Sequence, residues 1–572
     1  MRRFLVPAGH RERARRPALA TEDPAVSIAF VAYESPYAPC GGIAAVMGRL
    51  PAQLQSQSGR ETIVITPYHQ HVEKTTSLPM TEVGSFGVSY GDRSTLVRVM
   101  RFEGPVPYYF LRPDDTSFFA GRRHPYDMDA GQLVRDALFF GSAATRALHL
   151  IQPGQRWQLL LQDWECATVA LALADQPGRH RCFLTLHNSY DCPISIDQLR
   201  QAKMQADYSA AGTILHRALG VVEWPVLTVS QQFANDLKED VLQTQILASH
   251  MQYELRERVR GIDNGPFADC AIPESILSAA TAGQFEPFKN WKAEYRHKFV
   301  QAVSTAAHNM SGERHLWGNL PSPHDEDRPW FVMAGRDDPR QKGYDIAATA
   351  AAQVLEAGVN AKFLFFPIPG DEGIAGLQFL RRLAEKYPAS VLVLPFLFKE
   401  GFHAALRGAA FGMMPSLYEP FGMANEFYLN GTMGIGRATG GITQQIIPLR
   451  AAACCSPAVE WRAGRWHTGS TLPTGLLFHE RDGLPSEIED WSGINQGRYA
   501  MGEQAPDRPQ ERDRYPLYRS MCDELRLAIL DAIQLYTADP LLYWQMLTGG
   551  VWHVRRSFSW ARTAQQYLRV LD

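Results

Sequence analysis

The feature that most constrains this chain is an alternation, run through twice, of short apolar segments with longer helix-like ones. The first run opens at Val26–Tyr33 (VSIAFVAY) and continues through Thr62–Thr66, Val106–Leu111, Trp157–Leu161, Cys182–Leu186 and Val226–Val229. Helices are expected at Ala130–Leu150, Ala167–Ala174 and Ile196–Leu219. The second run has strands at Trp330–Ala334, Lys362–Pro367, Ser390–Leu394 and Gly412–Pro415, with an alanine-rich helix over Tyr344–Ala357. Unbroken apolar strands are those buried on both faces, and their alternation with helices is the signature of parallel α/β layers. Between Asn264 and Pro329 the pattern loosens, which places the domain boundary there. Pro457–Arg519, rich in Gly, Pro, Arg and Asp, reads as an insertion or long loop. From Asp523 onward the chain is helical again.

Composition narrows the class. At about 150 residues per domain, a chain of 572 residues allows four domains, but two large α/β domains fit equally well. With 45% hydrophobic and 20% charged residues the chain can bury a core, which excludes a disordered protein. A net charge of −3 offers no basic face for nucleic acid. Near-neutrality with 11% aromatic residues suits a neutral polar partner such as a sugar. The eight cysteines form no C-x-x-C pair with matching partners and read as reduced thiols in a cytoplasmic protein. Met1–Arg16 holds six arginines and no apolar core, so it is not a secretory signal, and residues 1–26 read as a disordered lead-in. No run reaches about 18 apolar residues, so no membrane span is expected.

Three glycine-bearing turns follow strands. Gly41-Gly42 comes after the first strand and opens a helix; two glycines let a backbone approach a diphosphate, although a plain βα turn explains them as well. Arg336 and Lys342 lie in AGRDDPRQKGYD, after a strand, where α/β ligands bind. A guanidinium fork and a point charge could converge there on phosphate, or the segment could be a solvated charged loop. Met414–Ile442 is the densest segment: Glu419, Pro420, Phe421, Gly422 and Met423, then Glu426, then Thr439-Gly440-Gly441 before another helix. Free N–H groups at such helix starts can hold an anion or a sugar hydroxyl. Glu419 could accept hydrogen bonds from sugar hydroxyls or cap its helix, and Glu426 could be a helix-surface carboxylate. His187 (in TLHNSYD), Asp163-Trp164 (in LQDWECA) and Asn264 also sit at strand ends; turn chemistry alone would account for Asn264-Gly265.

In order along the chain, YESPYAPCGGIAAVMGRLP, HPYDMD, DWECA, FLTLHNSYD, LTVSQQF, GIDNGPF, GRDDPRQKGYD, PSLYEPFGMANE, RATGGI, TGLLFHE and SFSWARTAQQYL resemble the bacterial glycogen synthases and plant starch synthases, retaining GT-B glycosyltransferases. The resemblance implies an α/β fold of two Rossmann-like domains facing a central cleft, with a C-terminal helix crossing back to the N-terminal domain. It divides the chain into an acceptor-side domain (27–265), a linker (266–327), a nucleotide-sugar domain (328–555, with the insertion 457–519) and a crossover helix (556–572). It implies glucose transfer from a nucleotide-diphosphate-glucose, ADP-glucose favoured, to the non-reducing end of an α-1,4-glucan with retention. Arg336 and Lys342 would hold the diphosphate, Glu419 and the N–H groups of Phe421–Met423 the glucose, and His187 the reacting end of the sugar. Tyr126, Asp163, Trp164, Asn264 and Glu426 would line the clefts, and Gly41, Gly42 and Thr439–Gly441 would face phosphate. No metal or bound cofactor is implied; the nucleotide-sugar is a substrate, and the partners are that donor and an α-glucan.

Departures from the family pattern are local. Pro39 stands where the family has a lysine before Gly-Gly, Ala45 where it has an acid, and Glu419 and Glu426 are one residue closer than in related retaining enzymes. The lost cation would weaken leaving-group stabilisation. Two other readings therefore stand beside the first: a GT-B enzyme with a different donor or acceptor, and a catalytically impaired glucan-binding or regulatory homologue.

Overall fold

The computed structural model describes residues 26–572 except 76–78, 176–177, 205–211, 309–315, 325–327, 470–471 and 498–506. The expected lead-in, all but Val26, lies outside the described residues.

Continuous apolar runs became buried strands. Ser27–Val31 (β1), Thr62–Pro67 (β2) and Trp157–Gln162 (β6) are buried at every position. They join Thr81–Tyr90 (β3), Arg93–Glu103 (β4), Pro107–Pro113 (β5), Arg181–Leu186 (β7), Val226–Thr228 (β10) and Val259–Gly261 (β11) in one sheet. Its order is β11-β10-β7-β6-β1-β2-β5-β4-β3, parallel except at β3–β4 and β4–β5. Pro193–Ile194 (β8) and Gly212–Thr213 (β9) form a separate small pair.

The second sheet comprises Trp317–Gly318 (β12), Trp330–Arg336 (β13), Lys362–Ile368 (β14), Val391–Val393 (β15), Phe411–Met414 (β16), Met433–Arg437 (β17) and Leu476–Phe478 (β18). They lie in the order β12-β15-β14-β13-β16-β17-β18, with only β12–β15 antiparallel. In each sheet the order reverses beside the founding strand, between β1 and β6 in the first and between β13 and β16 in the second. Chain segments leaving the carboxyl ends of such strands diverge and open a crevice, the usual ligand position in open α/β sheets.

The helix Trp560–Leu571 crosses back and packs on the helix Leu50–Ser58 of the first half. Gln158 Nε2 donates to the Leu571 carbonyl (2.7 Å) and Trp560 Nε1 to that of Pro266 (2.7 Å), while the hydroxyls of Thr185 and Tyr567 are 3.2 Å apart. Gly265 is required there: a Cβ at this position would lie 2.6 Å from the Trp560 nitrogen.

Three expectations need correction. The single helix expected over Ile196–Leu219 is two short ones, Ile196–Gln201 and Ile214–Ala218, separated by β9 and by residues outside the description. The region 266–327 holds a long helix, Glu286–His308, that belongs to the second half. Its Lys292 donates to the carbonyls of Ala409 (2.6 Å), Arg407 (3.1 Å) and Gly431, and Arg296 Nε to that of Gly408 (3.1 Å). Nor is 457–519 a loop. It supplies the helices Pro457–Gly464, Glu487–Gln496 and Arg508–Arg512 and the edge strand β18. Buried Arg508 and Arg512 pair with Asp337 (2.8 Å) and Asp345 (2.8 Å), fastening this region beneath the loop after β13.

Candidate active site

At the second crevice, β13 ends on Arg336 and the following loop is bound to the segment after β16 by Leu417 N–H to the Gln341 carbonyl (2.7 Å). That bond delivers Lys342 to Glu419: Nζ lies 2.7 Å from Oε2, which also accepts from the Ser416 hydroxyl (3.0 Å). Arg336 is exposed and pairs with exposed Asp371. A pair in water is weak, so the guanidinium is free to exchange its carboxylate for a more highly charged anion. The charged-loop alternative fails for Asp337, which is buried on Arg508, and holds for Arg340.

Behind Glu419 the two glycine turns interlock. Gly440 has φ +46°, and a Cβ on it would sit 1.6 Å from the Glu419 carbonyl oxygen; one on Gly441 would sit 2.1 Å from that of Phe421. Gly441 N–H donates to the Glu419 carbonyl (3.3 Å), and Gly440 N–H to the Asp236 carboxylate (2.7 Å). These turn amides are thus engaged within the protein. Gly422 (φ +87°) lets the chain turn back over Ile442, Met423 precedes the helix Ala424–Leu429, and the Phe421 ring packs with Val229, Phe267 and Phe558. Glu426 points away from Lys342. Its Oε1 accepts from Phe267 N–H (2.6 Å), and burial pushes its carboxyl up to about 7.

At the first crevice, Asp163 opens the helix Asp163–Leu173 with φ +59°, a left-handed conformation rare outside glycine and typical of functional sites. Its carboxylate accepts from His187 N–H (2.6 Å) and Asn188 Nδ2 (3.0 Å). Burial holds His187 down at about 3, so its ring is neutral at physiological pH. Gln162 donates its amide to the Leu160 carbonyl (3.0 Å), which leaves Gln162 Oε1 facing His187 Nε2 at 2.8 Å. Nε2 therefore carries the proton and Nδ1 is an acceptor. Glu34, directly after β1, takes N–H groups of Cys40 (3.1 Å) and Gly41 (2.5 Å) and the Tyr126 hydroxyl (3.0 Å). Gly42 begins the helix Gly42–Met47. Burial raises the carboxyls of Glu34, Asp163 and Glu165, the last two further through each other's charge or that of Glu34, so the trio shares protons rather than carrying three charges.

The two crevices meet. Tyr190, three residues past His187, donates its hydroxyl to Asp338 Oδ2 (2.6 Å) in the loop between Arg336 and Lys342, and Ser230 after β10 donates to the Pro420 carbonyl (2.5 Å). Arg336, Lys342 and Glu419 thus stand across one cleft from Tyr126, Asp163 and His187. Trp164 is 5% exposed and packs in the core, and Asn264 is 2% exposed, with its N–H on the Val229 carbonyl (3.1 Å). Glu34, Gln162, Tyr190 and Asp236 were not singled out from sequence. Glu34 carried a signal, an acid at the carboxyl end of the founding strand; the others had none short of three-dimensional contact.

Two Rossmann-like sheets joined face to face, each with its reversal point at a shared cleft and a terminal helix spanning both, define the GT-B fold. The starch synthase catalytic domain family matches residues 27–250, and the family 4 glycosyltransferases in conflict systems match residues 289–426. Glycogen synthase 2 of Nitrosococcus oceani is 24% identical over 426 residues, covering 71% of this chain and 80% of that protein. The glycogen synthase of Lactococcus lactis is 26% identical over 440 residues, covering 72% and 84%. Among solved structures, the catalytic domain of starch synthase IV from Arabidopsis thaliana superposes with a TM-score of 0.64 at 17% identity, over 95% of this chain and 98% of that one. Sucrose-phosphate synthase from Thermosynechococcus elongatus reaches 0.50 at 17% identity, over 96% and 98%. These matches support a divergent glycosyltransferase akin to the glycogen and starch synthases. Among the described residues no helix is long and apolar enough to cross a membrane.

Proposed function

We propose that the protein transfers glucose from a nucleotide-diphosphate-glucose to the non-reducing end of an α-1,4-glucan, with retention and with ADP-glucose as preferred donor. The observation that carries the reading is the contact of Lys342 with Glu419 at the second crevice, on the loop that begins at Arg336. The donor diphosphate displaces Asp371 from Arg336 and draws Lys342 off Glu419. The freed Glu419 carboxylate accepts hydrogen bonds from the glucose hydroxyls, and the bare Nδ1 of His187 accepts one from the opposite wall. The anomeric carbon–oxygen bond to phosphate breaks as the acceptor hydroxyl attacks from the same face. The acceptor's proton passes to the departing phosphate oxygen, and the two cations stabilise the nucleoside diphosphate that leaves. Glu419, held by Lys342 and Ser416 in the free protein, serves in binding rather than as a nucleophile. Closure over the donor keeps out water that would otherwise hydrolyse it. ADP as the nucleotide is supported by the starch synthase IV domain, solved with ADP and acarbose bound. A panel of nucleotide-sugars, assayed with glycogen and maltooligosaccharides and followed by linkage analysis of the product, tests donor and acceptor together. Transfer of another sugar, or to another acceptor only, would redirect the assignment within GT-B chemistry.

A specific observation also favours the impaired homologue. Pro39 replaces a cation, and the neighbouring Gly41 N–H is occupied by Glu34. Calorimetry separates the readings: glucan binding without binding of any nucleotide-sugar would support the regulatory one.

A further inference from the structure

The geometry points to Asp236 as a positioning residue that sets the Thr439–Gly441 turn, and through it Glu419, when the two halves of the molecule close. Asp236 lies in the helix Gln231–Glu239, which follows β10 of the first sheet, whereas the turn follows β17 of the second. Its Oδ2 accepts from Gly440 N–H (2.7 Å) and, more distantly, from the Thr439 hydroxyl (3.5 Å); its Oδ1 is held by Gln232 Nε2 (2.7 Å). Gln232 is itself fixed across the boundary. Its backbone N–H donates to Gln444 Oε1 (2.9 Å), and its Oε1 accepts from Trp466 Nε1 (2.6 Å). Gln444 Nε2 in turn donates to Asp263 Oδ1 (3.0 Å).

Asp236 and the turn are buried, and a buried carboxylate is tolerated only where donors satisfy it. These donors come partly from the opposite half, so the carboxylate is satisfied only when the halves are together. The turn then transmits the contact. Gly440 and Gly441 lie against the backbone of Glu419–Phe421 too closely to move independently, and Gly441 N–H is bonded to the Glu419 carbonyl (3.3 Å). A shift of Gly440 therefore shifts Glu419, whose carboxylate meets Lys342. Among the described residues Asp236 supplies the carboxylate that meets this turn's amide, and what distinguishes it from a structural cap is that it joins two sheets rather than closing its own helix.

The catalytic half of this inference rests on the proposed glucosyl transfer, so the experiment has an arm that does not. Asp236→Ala and Asp236→Asn are compared with the parent by hydrogen exchange of the free protein. Removing the acceptor leaves the Gly440 amide unpaired, and exchange across 419–423 and 439–445 should quicken roughly tenfold or more in the Ala variant, the equivalent of one lost net hydrogen bond. It should be partly restored in the Asn variant, whose one remaining oxygen can turn to the Gly440 amide while its Nδ2 then faces the Gln232 amide, with the two sheets' strands unchanged in both. Parent-like exchange in the Ala variant overturns the proposal. So does acceleration spread evenly over the strands, which would mark a merely structural role. In the transfer assay the Ala variant should lose kcat roughly tenfold with donor KM within about twofold, and the Asn variant should recover part of it. An equal loss in both variants, or a loss confined to KM, overturns the positioning role. A parent inactive with every donor overturns the transfer reading and leaves the exchange arm to decide the role of Asp236.

Discussion

Lys342 and Glu419 are the residues on which the proposed chemistry turns, because their 2.7 Å contact places a cation and a carboxylate where a glucosyl diphosphate would separate them. Lys342→Ala should lower kcat by about 100-fold or more, the usual scale for removing a group that stabilises developing charge, while the melting temperature changes by only a few degrees; steady-state kinetics and calorimetry check this. Pro39→Lys should act in the opposite sense and raise turnover, by restoring a cation beside the Gly41-Gly42 turn. Glu426 makes a prediction about pH. Its carboxyl is pushed up to about 7 by burial, against ~4.3 in an unfolded chain. The folded state holds the proton more tightly, so this group costs nothing below about pH 4 and erodes stability as pH rises from there through 7, by roughly 4 kcal/mol in the limit. Glu426→Gln should therefore gain on the parent between pH 5 and pH 8, and parallel melting curves would contradict the assignment. The strand-end positions of Arg336, Lys342, Glu419 and His187 were legible in the sequence, because each follows an apolar run that became a buried strand. Asp236 was not, because nothing local distinguishes a carboxylate that reaches a turn some 200 positions away from one that faces water.

At the scale of elements, what was legible was whatever buried both faces of a strand. β1, β2, β6, β13 and β14 read directly as apolar runs. The hairpin β3–β4 is obscured in the sequence: Gly91-Asp92, with Gly91 at φ +59°, joins its two strands, but their half-exposed faces dilute the apolar pattern. The helix Glu286–His308 was obscured for a different reason. Lys292 and Arg296 lie on its buried side, where they satisfy the carbonyls at the end of the helix Lys399–Gly408, so the apolar stripe is interrupted by the residues that dock it. Pro457–Arg519 misled through composition: the arginines that suggested solvent are partly those buried on Asp337 and Asp345. The terminal crossover helix was legible and carries its own prediction. Trp560→Ala removes a buried ring and its bond to the Pro266 carbonyl, and should cost about 3–5 kcal/mol, read as a lowered denaturation midpoint. A loss within ~1 kcal/mol would mean that the helix is not needed to hold the two halves together.

For the whole molecule, two sheets that each reverse at a founding strand come together with their reversal points on one cleft. Cations stand on one wall and a strained aspartate with a neutral histidine on the other, and the net charge of −3 says nothing of either. The most direct test is to supply the protein with ADP-glucose and a maltooligosaccharide and to follow the first-formed linkage by proton NMR. The account predicts chain extension at the non-reducing end through α-1,4 bonds, abolished in the double variant Arg336→Ala, Lys342→Ala. An absence of transfer from either ADP-glucose or UDP-glucose, or a product of inverted anomeric configuration, would contradict it.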